Sequence, residues 1–214
     1  MFPKLICDLV PVEGCEDLFV NSTQFPITPS KCTTAGFYLL TGHGSNLPFD
    51  LGKYRELLDS TERSLQETYA PNGRCFGCGP TNPDGLHIHS YPADGLVVAD
   101  WKPEPKYEAF EGYVNGGIIG VLFDCHSNWA AAYSLMKRRG LSTPPGTVTA
   151  EYSVAHLSPT PSNRTLHFTS KVLDSSDNKA VVETTLEVDG KVTAKFKGTF
   201  VAVREGHPAY GRWR

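Results

Sequence analysis

The chain has 214 residues, 40 % of them apolar and 20 % charged, with a formal net charge of −3 at pH 7. That length supports one good core with an added arm. The slightly acidic balance, with no basic stripe interleaved with aromatics, removes any broad drive toward nucleic acid. Six cysteines in a chain this long do not make a disulfide scaffold. The first residues, MFPKLICDLVPVEGCEDLF, lack the unbroken apolar core of a signal peptide and carry acidic residues that a transit peptide avoids. The best candidate for a bilayer span contains Asp124, His126, Ser127 and Asn128, which rules it out. The expectation is a cytoplasmic protein with reduced thiols and neither a membrane nor a nucleic-acid partner.

Residues 1–48 show little periodicity and are rich in Pro, Gly, Ser and Thr. Short apolar pieces such as Leu18-Phe19-Val20 and Phe37-Tyr38-Leu39-Leu40 read either as strands or as packed turns. From Pro48 to about Thr68, Leu51, Tyr54, Leu57, Leu58, Ser64 and Leu65 recur at helical spacing, which predicts an amphipathic helix. Residues 1–73 are thus an irregular arm with one helix. The stretch 74–85, RCFGCGPTNPDG, is dense in turn formers. Strand patterns follow at 86–91 and 96–101, joined by Pro92-Ala93-Asp94-Gly95. A long helix is expected over 113–136, YVNGGIIGVLFDCHSNWAAAYSLM, followed by Lys137-Arg138-Arg139 and stopped at Gly140. Alternation then marks strands at 147–157, 165–173, 180–188 and 192–203, with turns at Ser175-Ser176-Asp177-Asn178 and Asp189-Gly190.

The order is strand, strand, long buried helix, then four strands in a meander. An antiparallel sheet wrapped around one central helix, an α+β fold, satisfies it. A sandwich with the helix on one face is the alternative, and the all-round apolar character of 113–136 favours the wrapped form. The main domain spans 74–203, with a tail at 204–214.

Asp124 is the one formally charged side chain within 113–136. A carboxylate among small and apolar neighbours costs several kcal/mol unless it is paired, hydrogen-bonded or used. Gly117 lies seven residues earlier, about two turns and roughly 10 Å away on the same helix face. The face continues through Gly120, Val121, Ser127, Asn128 and Ala131, a small and polar floor beside which a thin ligand could lie. The first N–H groups of a helix are unpaired and sit at the positive end of its dipole. The Gly pair reads either as bare access to those groups or as close helix–sheet packing. Asp124 reads alternatively as a cap on a partner subunit's loop. His126 is about 200° around the helix from Asp124 and is expected to be a satisfied core histidine. Asn115 either caps the helix or offers a donor. Cys75 and Cys78, with His87 and His89 after them, have four metal-binding side chains, but a tight reduced turn is preferred and no metal is expected.

The element order, the Asn115-Gly116-Gly117 helix start, Leu122-Phe123-Asp124 and the stretch YSVAHLSP at 152–159 resemble the hotdog-fold acyl-CoA thioesterases. The likeness is closest to the PaaI-like group of the hydroxybenzoyl-CoA thioesterase superfamily. Residues 75–79, CFGCG, and 82–86, NPDGL, look like the lead-in of many members. The resemblance covers 74–203. It implies Asp124 as nucleophile or general base, the Gly116 and Gly117 N–H groups as an oxyanion hole, and Thr149 assisting from the next strand. It also implies no cofactor beyond the coenzyme A of an acyl-CoA substrate, and a homodimer or dimer of dimers with sites between protomers, while Gly120, Ser127 and Asn128 stay as substrate-contact candidates from the helix-face spacing alone. Asn115 stands where such proteins usually have His, and the family's upstream Asn or Gln is absent from 107–111, YEAFE. Two further readings stay open on the same fold: a hydratase/dehydratase, or a decarboxylating or other thioester-processing enzyme of secondary metabolism, and a non-catalytic acyl-CoA binding module. Lys137-Arg138-Arg139 could meet CoA phosphates, with a solvated helix end as the default.

Overall fold

The computed structural model describes residues 9–11, 19–21 and 63–213. The chain divides into two compact units, Met1–Leu47 and Pro48–Arg214. In the first, β1 (Leu9–Pro11) pairs antiparallel with β2 (Phe19–Asn21), Val10 opposite Val20. The apolar piece at 37–40 and residues 48–62 of the expected helix lie outside the described residues.

In the second unit, α1 (Leu65–Tyr69) starts afresh at Ser64. The Ser64 backbone is extended, Glu67 N–H donates to its Oγ at 3.2 Å, and its own N–H donates to the Glu67 carboxylate at 2.9 Å. A capping box of this kind begins a helix, so the helix expected to run through Ser64 to Thr68 does not do so. The helical spacing was there, but Ser64 and Glu67 claim the backbone donors.

The remaining elements are β3 (Tyr91–Ala93), β4 (Leu96–Trp101), β5 (Glu108–Phe110), β6 (Tyr113–Val114), α2 (Gly116–Arg138), β7 (Thr147–His156), β8 (Leu166–Ser175), β9 (Lys179–Val188) and β10 (Lys191–Ala202). Six of the strands form one antiparallel sheet in the order β3-β4-β8-β9-β10-β7. Two expectations need correction. The first strand of the sheet is short, because Leu86 and Ile88 give their N–H groups to Phe76 and Gly77 carbonyls in the preceding turn, at 2.7 and 3.0 Å. The meander is β8-β9-β10 alone, and β7 pairs with β10 at the far edge of the sheet. Helix α2 packs across the sheet and touches β4, β7, β8, β9 and β10, so the chain leaving it enters beyond β10.

The middle of α2 is buried from two sides. Toward the sheet, Phe123 meets Phe168 edge-on at 5.4 Å and stacks on Phe196 at 5.5 Å. On the opposite side, the Trp129 and Trp213 ring centroids are 4.2 Å apart, and Trp129 Nε1–H donates to Cys78 Sγ at 3.3 Å. Each such side chain contributes about 2–3 kcal/mol through burial. The sheet covers one half of the helix, and the segment 63–90 with Trp213 covers the other, which is how the apolar character all round is satisfied. The tail is held by Trp213 Nε1–H to Pro145 O at 2.8 Å and by Arg212 to Thr147 O at 2.9 Å. At the C-terminal end Gly140 takes φ +60°, the left-handed turn a glycine allows after a helix.

Candidate active site

The first turn of α2 is exposed at Asn115, Gly116 and Gly117. Asn115 is the N-cap, and Gly117 N–H donates to its Oδ1 at 2.8 Å. Capping, one of the two roles open to Asn115, is therefore present. Gly117 N–H, expected as a bare donor, is already engaged by that cap. Gly116 and Ile118 in the same turn have no intrahelical carbonyl to receive their N–H groups. The Asn115 side chain also retains its Nδ2 donors, which no described hydrogen bond uses.

A Cβ on Gly116 would stand 3.4 Å from His156 Nε2, and one on Gly117 would stand 3.0 Å from Asn115 Oδ1. Neither meets the sheet backbone, so close helix–sheet packing does not account for the pair. His156 brings an imidazole from β7 to the mouth of the helix. It lies in the stretch 152–159, but no local spacing links it to Gly116.

Two turns further along, Asp124 is half-buried, and Thr149 Oγ1 on β7 donates to its Oδ1 at 2.6 Å. The pairing of β7 with β10 slips between Thr149 and Glu151, which leaves Ala150 as an extra residue. A bulge of this kind re-aims its neighbours' side chains. Burial raises the Asp124 carboxyl above the usual aspartate range, against the Thr149 hydrogen bond and the Arg212 charge, while the Cys75 thiolate adds to the rise. No local pattern points to Arg212, whose charge reaches Asp124 through the anchored tail.

The expected ligand floor divides. Gly120 has open space where a Cβ would stand. Ser127 is fully buried and hydrogen-bonds Thr184 Oγ1 at 2.6 Å, and Asn128, also buried, accepts from Thr147 Oγ1. Both side chains serve the helix–sheet contact, so the periodicity that grouped them with Gly120 does not translate into a shared open surface.

His126 is fully buried and saturated. Its Nε2 is 3.2 Å from Val97 O and its Nδ1 is 2.9 Å from Ser90 Oγ, which in turn accepts from Gln66 Nε2 at 3.0 Å. Burial depresses it to about 3, partly opposed by the Val97 carbonyl. It is the core histidine expected of its position.

His89 bonds Ser64 Oγ at 3.1 Å and faces Glu67, away from Cys75 and Cys78. A third thiol meets those two instead: Cys125 Sγ lies 3.6 Å from Cys75 Sγ. Hydrogen bonds from Cys125 and Cys78 pull Cys75 down to about 2. Cys78, although Cys125 alone would lower it, is pushed up to about 12 by its bond to Cys75 and by burial. At the end of α2, Lys137 lies 5.5 Å over the Tyr133 ring and Arg138 is 3.6 Å from Asp177, all at the solvated surface. Among the described residues no helix is long and apolar enough to cross a membrane.

One long helix laid on a six-stranded antiparallel sheet, entered through an Asn-capped Gly pair, is the hotdog fold. Among solved structures, a thioesterase superfamily protein is 22 % identical over 71 % of this chain and 78 % of its own, with a TM-score of 0.51. A thioesterase superfamily protein from Shewanella loihica PV-4 is 28 % identical over 55 % of this chain and 91 % of its own, with a TM-score of 0.47. The E. coli PaaI protein of the phenylacetic acid degradation operon is 18 % identical over 56 % and 81 %, also with a TM-score of 0.47. No family model matches the chain, and no curated protein matches it in sequence.

Proposed function

We propose that this protein hydrolyses an acyl-CoA thioester to a free acid and CoA, with Asp124 as its catalytic carboxylate. The observation that carries the reading is the half-buried Asp124, held by Thr149 through one oxygen, on the helix face that begins at an exposed Gly-Gly turn. Asp124 acts as general base toward water or as nucleophile toward the thioester carbon. The carbonyl oxygen turns toward the first-turn amides, where each donor contributes about 3 kcal/mol to the developing oxyanion. Collapse of the tetrahedral intermediate breaks the C–S bond, and the CoA thiolate leaves without needing a dedicated acid. Gly120 offers the open wall along which the acyl group runs.

One helix cannot complete this site. Gly116 and Asp124 are eight residues apart, about 12 Å along the axis. The attacking atom must come within about 3.5 Å of the carbonyl carbon, and the oxyanion donors within about 3 Å of its oxygen. Two copies related by a two-fold axis meet the requirement, Asp124 of each facing the helix start of the other. Such an axis is isologous and closes at two chains. The edge strand β7 carries Tyr152 at 54 % exposure, and Leu157, just after the strand, is 56 % exposed, which supports pairing on that side.

The test is a free-thiol assay over short-chain, long-chain and aryl acyl-CoAs, with the products weighed by mass spectrometry. Free acid plus CoASH supports the proposal. A product differing from substrate by one water with the thioester intact assigns the site to a hydratase, and saturable binding without turnover assigns it to a binding module.

A further inference from the structure

The three described cysteines form a cluster that thioester hydrolysis does not use. Cys75 and Cys78 come from the turn preceding the sheet, and Cys125 comes from the middle of α2, 47 positions beyond Cys78. All three Sγ atoms lie within 4.8 Å of one another. Cys75 is half-buried, while Cys78 and Cys125 are buried.

Several features build this arrangement. The turn closes on itself through Gly79 N–H to Cys75 O at 2.8 Å. Gly77, between the two cysteines, lies so near α2 that a Cβ there would stand 2.4 Å from Cys125 Sγ. Any other residue at 77 would drive the turn off the third thiol. Trp129 Nε1–H donates to Cys78 Sγ at 3.3 Å, as an outer-shell donor does for a bound thiolate. Cys75 and Cys78 also face a cavity of about 270 Å³ whose wall includes Arg74 and Arg212.

We propose that Cys75, Cys78 and Cys125 bind one Zn²⁺ ion as thiolates, with the fourth position open toward the cavity lined by Arg74 and Arg212. Tetrahedral zinc with Zn–S bonds of about 2.3 Å sets its sulfurs about 3.8 Å apart. The Cys75–Cys125 separation of 3.6 Å matches that edge and is far longer than an S–S bond. Three thiolates on Zn²⁺ leave one net negative charge, which the two guanidinium groups of the cavity complement. Binding replaces each remaining S–H proton by a Zn–S bond and releases the protons to solvent, with no change of oxidation state. The ion would fasten the turn to α2 at the residue next to Asp124.

Elemental analysis of the reduced, full-length protein is the test, followed by Co²⁺ substitution and optical spectroscopy. The proposal expects about one zinc per chain, and a thiolate-to-cobalt charge-transfer band with tetrahedral d–d transitions. Cys75→Ser, at the half-buried position, and Cys125→Ser each weaken retention at least tenfold against a chelator, whereas His87→Ala and His89→Ala keep the metal. Because Cys125→Ser sits in the core, thiol counting on the unsubstituted chain gives a second readout: the half-buried Cys75 thiol becomes reactive only after chelation. Absence of the charge-transfer band, full retention in both cysteine variants, or a mass two hydrogens lower from a Cys75–Cys125 disulfide in the isolated protein would overturn it.

Discussion

Asp124 and His126 stand two residues apart on one helix, yet one is half-exposed and sparsely bonded while the other is sealed into the core. His126 points into the interior, where both ring nitrogens have partners and Gln66 closes the relay through Ser90. Asp124 is half-exposed and, among the described residues, receives a single hydrogen bond, from Thr149. A buried polar group with every site satisfied stabilises one conformation. A carboxylate with lone pairs to spare and a raised proton affinity retains the capacity to react. Closeness in sequence says little, since a helix turns adjacent residues to different environments.

Neutralising the half-exposed carboxylate has the largest expected effect. Asp124→Asn is expected to lower kcat for acyl-CoA hydrolysis by about a thousandfold, or about 4 kcal/mol, as measured by free-thiol release. Burial raises the Asp124 carboxyl. A carboxyl whose folded pKa lies above its unfolded one opposes folding once pH rises past it. The same variant should therefore melt at the same temperature as the parent or higher, which scanning calorimetry checks.

His126→Leu should do the reverse. It strands the Val97 carbonyl and removes a partner from Ser90, costing about 2–3 kcal/mol in denaturant unfolding, while kcat per folded molecule stays within twofold. His126 is depressed to about 3, so it must gain a proton on unfolding below its ordinary value. Its contribution is present above about pH 6.5 and falls by about 1.4 kcal/mol per pH unit as pH drops toward 3. Acid titrations of parent and His126→Leu should converge over that window. The smallest effect belongs to Thr149→Val, which keeps the strand shape and removes the hydroxyl. A loss of about tenfold in kcat, or about 1.4 kcal/mol, with a small change in stability is expected.

Much of this was legible in the sequence because the signals were local. The four strands after α2 begin and end within two residues of where alternation put them. Asp124 stood out as the lone charge in an apolar helix, and Thr149 was named beside it through a family likeness. What failed to show was non-local. Nothing in β7 itself says that it pairs beyond β10. Ser127 and Asn128 share a periodic stripe with Gly120, but Thr184 and Thr147 from distant strands claim their side chains. Cys125 has no spacing relation to the C-x-x-C turn, and Arg212 arrives only because Trp213 anchors the tail against Trp129. Ser64 shares the helical spacing but is the cap at which α1 begins.

Whether Asp124 of one copy acts with the helix start of another is tested most directly by mixing two inactive variants. Asp124→Asn and a variant blocked at the helix start, Gly116→Val, are each expected to be inactive alone. Co-refolded or co-expressed, they form mixed dimers in which one site has both defects and the other has neither. Hydrolysis should then return, toward a quarter of the parent rate for random pairing. Mixed dimers that form but stay inactive would contradict it and place the carboxylate and its amides within a single chain.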